Sequence, residues 1–338
     1  MHPDALESVG RVAHGGESDP DVLDFSANTN PERPPGVADV YAAALDESRR
    51  YPDDDYPEFR TAAAEYVDCD PNAVIPSPGG LAGMRLAFES TLGPGDSALV
   101  PYPSFSEYAR EVRLQGADPE FVPHDGILDV DPSGHSLAVV CTPNNPTGEV
   151  SDPDALRRFA LRCRESETVL LVDEAFLDYV DRPSMAGEPG VVVARSLTKV
   201  FGSPGIRAGF LVADGDLRER LATARPAWNL STPAARVGAH CLRATDFVAE
   251  TRERTAEERA RLRERLEPAY DVAPSDAPFL LLDTRERDPV AVVEHARERG
   301  VAVRDATTFR GLDNHVRVAV KRRSENDELL GALPGVEP

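Results

Sequence analysis

The middle of the chain alternates short apolar runs with segments of helical period. Ser97-Ala-Leu-Val-Pro101, Leu137-Ala-Val-Val-Cys141, Val169-Leu-Leu-Val-Asp173, Val191-Val-Val-Ala-Arg195 and Gly209-Phe-Leu-Val-Ala213 are apolar without polar alternation. Such runs predict strands covered on both faces. Residues 153–165 repeat apolar positions at helical spacing and predict a helix between two of them. Strands alternating with helices predict an α/β fold, a mostly parallel sheet with helices on both faces. In such a sheet the loops after the strands meet in one crevice. Asn144-Asn-Pro-Thr-Gly148, Asp173-Glu-Ala-Phe176 and Ser196 to Lys199 each follow a strand and are expected to converge there. Residues 244–267 are rich in Arg and Glu and predict a long, charged helix leading into a smaller α+β domain. That domain is expected to hold strands at 279–283, 301–304 and 316–320, with helices at 289–299 and 324–333. The proline-rich first 45 residues predict an irregular arm wrapped onto the small domain and the crevice. The organisation read from this pattern is an arm over 1–45, a large domain over 46–243 and a small domain over 244–338.

Composition narrows the partners. The chain has 338 residues, more than one small core can use, and 41% of them are hydrophobic, which predicts a packed globular protein. The net charge is -22, and its acidic residues are spread along the whole chain. Nucleic acid and anionic membrane are therefore excluded as partners. With lysine nearly absent, this surface is read as adapted to high salt, where dense charge is screened. The first residues carry no basic region and apolar run of a signal peptide, and no run approaches the roughly 20 apolar residues of a membrane span, so a cytoplasmic location is expected. Cys69, Cys141, Cys163 and Cys241 are far apart, without metal-ligand spacing, and are expected to be buried thiols.

Only two lysines occur, Lys199 and Lys321, among 37 basic residues. Arginine cannot replace lysine where an amine must lose its proton and form a Schiff base. Lys199 lies in Arg195-Ser-Leu-Thr-Lys199-Val-Phe-Gly-Ser-Pro-Gly-Ile-Arg207, flanked by the hydroxyls of Ser196 and Thr198 and the charge of Arg207. Hydroxyls and a fixed positive charge suit a phosphate. An amine for an aldehyde beside a phosphate site points to pyridoxal 5'-phosphate. Pro78-Gly-Gly-Leu-Ala-Gly83 opens a predicted helix whose amides can cradle the same phosphate.

In order along the chain stand His14-Gly-Gly, Asp24-Phe-Ser-Ala-Asn-Thr-Asn-Pro31, Arg50-Tyr-Pro-Asp-Asp-Asp-Tyr56, Cys141-Thr-Pro-Asn-Asn-Pro-Thr-Gly148, Asp173-Glu-Ala-Phe176, Arg195-Ser-Leu-Thr-Lys199, Pro204-Gly-Ile-Arg-Ala-Gly209 and Arg317-Val-Ala-Val. Together they resemble the fold-type I pyridoxal-phosphate enzymes of the aminotransferase superfamily. Within it, the His14 and Asp24 segments most resemble the threonine-phosphate decarboxylases of the cobalamin pathway, relatives of the histidinol-phosphate aminotransferases. The resemblance implies that Lys199 carries the cofactor and moves protons, and that Asp173 faces the pyridine nitrogen. It places Asn145 at the ring O3' and within reach of substrate, Tyr108 stacked on the ring, and Ser196, Thr198, Arg207, Gly80 and Leu81 around the phosphate. Gly80-Leu81 departs from the family, which often has an acidic or hydroxyl side chain just after the glycine. Arg317 resembles the arginine that grips the substrate carboxylate, and His14 and Asn28 resemble residues contacting a substrate phosphate. Tyr51 resembles a tyrosine that reaches a neighbouring subunit's cofactor phosphate, which implies a homodimer with shared sites. Phe176 stands where the aminotransferases typically have tyrosine. The resemblance therefore implies decarboxylation of L-threonine O-3-phosphate, with histidinol-phosphate:2-oxoglutarate aminotransfer as the alternative. A cofactor-binding regulator without turnover is a third reading, disfavoured by the intact Lys199, Asp173 and Asn145 set.

Overall fold

The computed structural model describes residues 1–337. Helix α1 (Pro3–Ser8) and an extended stretch lead to β1 (Leu23–Asp24), then α2 (Val37–Glu47) and α3 (Pro57–Val67). α2 corrects the expectation of an irregular arm over 1–45, because the boundary after residue 45 falls inside this helix. The run Val37-Ala-Asp-Val-Tyr-Ala-Ala-Ala-Leu45 is dominated by alanine, the best helix former, and buries Val37 and Ala44.

The large sheet comprises β2 (Val74–Ser77), β3 (Ser97–Tyr102), β4 (Asp118–Pro123), β5 (Leu137–Cys141), β6 (Val169–Asp173), β7 (Val191–Ser196) and β8 (Gly209–Val212). Its strand order is β2-β8-β7-β6-β5-β3-β4, parallel throughout except for β8, which is antiparallel to both neighbours. Helices α4 (Gly80–Thr91), α5 (Glu107–Leu114), α6 (Pro153–Glu165), α7 (Gly215–Ala224) and α8 (Thr232–Leu242) cover it. Successive strand residues serve opposite faces. Val140, Val172 and Val193 join the core that holds Phe159 of α6, whereas Val139, Leu171 and Val192 join the one that holds Met84 and Phe88 of α4. The absence of polar alternation in these strands is thus explained by helices on both sides. α6 begins where the sequence pattern places it: the Asp152 side chain accepts from the Ala155 amide at 2.8 Å, and Pro153 occupies the first turn.

A 22-residue helix, α9 (Thr245–Leu266), leads to β9 (Asp271–Val272), β10 (Phe279–Asp283), α10 (Pro289–Arg297), β11 (Val301–Ala302), β12 (Arg304–Asp305), β13 (His315–Ala319) and α11 (Arg323–Ala332). The second sheet is antiparallel, in the order β12-β13-β10-β9. Phe25 of the arm is buried in its core with Leu280, Leu282, Val316, Val318 and Leu329. The expected strand at 301–304 is divided. Val301 and Ala302 pair in parallel with β1, Arg304 and Asp305 pair with β13, and Val303 links the two sheets. Two different neighbours take the halves of one apolar run, so the arm is tied to the small domain by backbone hydrogen bonds. Cys69 is partly exposed rather than buried, and the other three cysteines are buried thiols. No helix is long and apolar enough to cross a membrane among the described residues.

Candidate active site

Asp173 is the last residue of β6, beside the ends of β5 and β7 in the sheet register. Its carboxylate is buried; Oδ2 accepts from the Tyr108 hydroxyl at 2.6 Å and Oδ1 from the Ala175 amide at 3.0 Å. Burial pushes this carboxyl above its ordinary range, against the pull of the Tyr108 and Ala175 hydrogen bonds and the Lys199 charge. A cation placed against it restores the favourable charge balance. Lys199 lies in the turn after β7, with Nζ 5.6 Å from the centre of the Phe176 ring. Its amine is pushed down to about 8, first by burial and then by the charge of Arg317, with Arg207 adding to this and Asp173 opposing it. An amine so placed is largely neutral in mildly alkaline solution and competent to attack an aldehyde.

A second group of residues gathers at the start of α4. Gly79 caps this 12-residue helix with φ of +87°. A Cβ on Gly79 would lie 2.5 Å from the Arg207 guanidinium, and one on Gly80 3.1 Å from the Ser196 Cβ. A side chain at either glycine would crowd Arg207 or Ser196, and the positive φ of Gly79 strains any other residue there. Ser196 Oγ and Thr198 Oγ1 are 2.8 Å apart and hydrogen-bonded to each other. Helix amides, two hydroxyls and an arginine make a cup for a phosphate. Gly80 and Leu81 add backbone only, and the Leu81 side chain packs against the apolar core.

Arg317 lies on β13, between β12 and β10, and is buried. Its Nη1 donates to Asn145 Oδ1 at 2.5 Å and its Nη2 to the Ser26 carbonyl at 2.8 Å, while Nε has no partner. Directly opposite in the strand register stands Arg304, also buried, donating to the Ala13 carbonyl at 2.9 Å and Thr308 Oγ1 at 2.7 Å. Among the described residues neither arginine forms an ion pair with a carboxylate. Burial and the neighbouring Arg304 push Arg317 down to about 9, and burial lowers Arg304. Asp24 and Asp305 offset these charges only from beyond ion-pair distance, and two like charges so held side by side favour an anion. Asn28 is buried nearby in sequence, with Oδ1 unpartnered. His14 follows the Ala13 that Arg304 contacts; its Nε2 is 2.8 Å from Glu107 Oε1 and its imidazole is half-exposed. Sequence reading missed Arg304 and Glu107. The signal for Arg304 was available, an arginine ending the apolar run Val301-Ala-Val, but Glu107 had none.

The structure therefore brings Lys199, Asp173, Phe176, Asn145 and Arg317 to one place, and Ser196, Thr198, Arg207 and Gly80 to another beside it. Tyr108 is placed by its hydroxyl on Asp173, fully buried. Tyr51 is not part of this group: it is 80% exposed and packed against Trp228, ring centres 4.7 Å apart and planes tilted by 34°.

The aminotransferase class I and II family model matches residues 20–333. The chain belongs to this family. Its cofactor is pyridoxal 5'-phosphate. Histidinol-phosphate aminotransferase 2 of Archaeoglobus fulgidus is 31% identical over 327 residues, 93% of each chain. Threonine-phosphate decarboxylase of Salmonella typhimurium is 30% identical over 353 residues, 96% of each. Further histidinol-phosphate aminotransferases of similar identity accompany them. The fold matches that of the histidinol-phosphate aminotransferase of Sinorhizobium meliloti in complex with pyridoxal-5'-phosphate, with TM-score 0.81 and 21% identity over 99% of this chain and 94% of that one. The residues above fit the cofactor: an amine whose proton is loosely held, a buried carboxylate in need of a cation, and a phosphate cup of helix amides, hydroxyls and an arginine.

Proposed function

We propose that this chain decarboxylates L-threonine O-3-phosphate to (R)-1-amino-2-propanol O-2-phosphate. The observation that carries this reading is the pair of buried arginines opposite each other across β12 and β13, neither in an ion pair, with the unpartnered Asn28 two residues along from the Ser26 that Arg317 contacts. They suit a small amine bearing two anionic groups. Pyridoxal 5'-phosphate, when bound, supplies the electron sink for the bond that breaks. Asp173 would hold a proton at the ring nitrogen, and Asn145 would serve the ring O3'. The phosphate cup and Tyr108 fix the ring in place. Arg317 would grip the substrate carboxylate and fix its orientation. Arg304, Asn28 and His14 receive the substrate phosphate, with His14 oriented by Glu107. Lys199 returns a proton to the same carbon after carbon dioxide leaves. Phe176 presents a ring without a hydroxyl to Lys199, as in the decarboxylases.

The second reading is histidinol-phosphate:2-oxoglutarate aminotransfer, and the relatives favour it by number. Protein loaded with cofactor is given L-threonine phosphate, then histidinol phosphate with 2-oxoglutarate, while carbon dioxide and glutamate are followed separately. Carbon dioxide without glutamate is the expected result. Glutamate without carbon dioxide overturns the decarboxylase reading and establishes the second. We further propose a homodimer with shared sites, in which Tyr51 reaches the partner's cofactor phosphate. The exposed Tyr51–Trp228 pair supports it, since two large aromatics in water favour a protein cover.

A further inference from the structure

Residues 24–32 of the arm touch both halves of the site. At one end the Ser26 carbonyl accepts from Arg317 at 2.8 Å. At the other, the Asn30 amide donates to the Lys199 carbonyl at 3.0 Å. The Asn30 side chain is buried and fully used. Nδ2 donates to the Val200 carbonyl at 2.7 Å and to Thr251 Oγ1 on α9 at 3.3 Å. Oδ1 accepts from Arg254 Nη2, also on α9, at 2.7 Å and from the Glu32 amide at 3.1 Å. Only a carboxamide offers two donors and two acceptor sites in this arrangement. The lysine turn lies directly on this segment. Gly202 has φ of +57°, and a Cβ there would fall 2.0 Å from the Glu32 carbonyl and 2.7 Å from that of Asn30.

We propose that Asn30 is a positioning residue for Lys199. It ties the lysine's main chain to α9, and through residues 26–30 to the Ser26 carbonyl that holds Arg317, so that amine and carboxylate grip keep a fixed separation. The assignment rests on Lys199 being the cofactor lysine, but not on which substrate is used. A clamped main chain explains how the amine stays near Arg317 and Arg207, which repel it, and near Asp173, which attracts it.

Because the chain has only two lysines, their reactivity can be read individually. The decisive variant is Asn30→Ala, which adds no charge but removes the donors to Val200 and Thr251 and the acceptor for Arg254. Cofactor-free wild type and variant are labelled with an amine-reactive reagent across a pH series, and each lysine is quantified by mass spectrometry. The midpoint of Lys199 labelling is expected to rise by about one pH unit in the variant as the amine escapes its buried position, with Lys321 labelling the same in both proteins. In the loaded enzyme kcat is expected to fall about tenfold with KM within about twofold, the pattern of lost positioning. A folded variant with an unchanged Lys199 profile overturns the proposal. If Asn30→Ala fails to fold, the isosteric Thr251→Val, which takes away one acceptor of Asn30 Nδ2, is used, and an unchanged profile there overturns it equally. Borohydride reduction of the loaded wild type shows separately which lysine carries the cofactor. Label on Lys321 instead would overturn the reading of Lys199 itself, a failure distinct from that of Asn30.

Discussion

Arg304 and Arg317 face each other across two strands, an arrangement that opposes folding, since like charges directly opposite in a sheet repel. Its retention makes sense if a ligand supplies the counter-charge. Inorganic phosphate at millimolar concentration is therefore expected to raise the melting temperature of the cofactor-loaded protein, and Arg304→Met is expected to abolish the rise. Arg317→Lys keeps the charge but loses the two-pronged fork. It should raise KM for a carboxylate substrate by about 10- to 100-fold, the effect of losing roughly 1.5 to 3 kcal/mol of charge-assisted hydrogen bonding; an unchanged KM would remove Arg317 from carboxylate recognition. Lys199 gives a pH prediction. Its folded-state pKa, about 8, lies below the ordinary lysine value of 10.5, so between these values the unfolded chain holds more protons than the folded one. This residue's contribution to the stability of the cofactor-free protein is therefore unfavourable below about 8, and the penalty lifts as pH rises towards 10.5. The rate at which cofactor-free protein captures pyridoxal phosphate should climb through pH 8 for the same reason, and stopped-flow absorbance measures it. Most site residues were legible because the chemistry admits few alternatives: an aldehyde needs a lysine, and this sequence offers two. Arg304 and Asn30 were not, because their roles come from what lies opposite them in space.

At the scale of elements, the start of α4 carries the sharpest prediction. Gly79→Ala puts a methyl 2.5 Å from Arg207 at a positive φ. With ψ of 162° this is a region almost confined to glycine, where strain is on the order of 1–3 kcal/mol; if the turn relaxes by moving the α4 amides and Arg207 off the phosphate, cofactor affinity should fall by about tenfold or more, read by titrating the cofactor-free variant. Affinity equal to wild type would mean that the α4 amides do not hold the phosphate. Five strands of the large sheet and α6 followed from their pattern because their surroundings are uniform, apolar on both faces for those strands and on one face for the helix; the edge strands β2 and β4 were not read from the sequence, and β4 is largely exposed. Where the pattern misled, two environments competed. Residues 301–304 form one apolar run, yet β1 takes one half and β13 the other. α9 reads as a solvated, charged helix, but Val248, Thr251, Thr255, Glu258, Leu262 and Leu266 make a continuous buried stripe. Three of these are polar, so hydropathy hides the stripe. Thr251 serves Asn30, and Glu258 accepts from Arg261 and Asn326.

The whole molecule is governed by its charge. Twenty-two excess negative charges repel one another in the compact state more than in the expanded one. The surface also carries many Arg–carboxylate pairs, such as Arg263–Glu267 at 2.8 Å and Arg285–Asp271 at 2.7 Å. Salt weakens both effects, so the sign of the response depends on which is larger. Exposed pairs contribute roughly 0–1 kcal/mol each and act over a few ångströms. The net repulsion is long-ranged, and it is the part most strongly removed when the screening length falls from about 10 Å at 0.1 M to about 3 Å at 1 M. Repulsion should win. The melting temperature is thus expected to rise steadily as potassium chloride is increased from about 0.1 M to about 2 M. Potassium chloride is chosen because its ions are weakly excluded from protein surfaces, so that the rise reports screening. Ammonium sulfate, which also strengthens apolar burial, should raise it further. A melting temperature that falls with potassium chloride would show that the ion pairs dominate, and the reading of a salt-adapted surface would be abandoned.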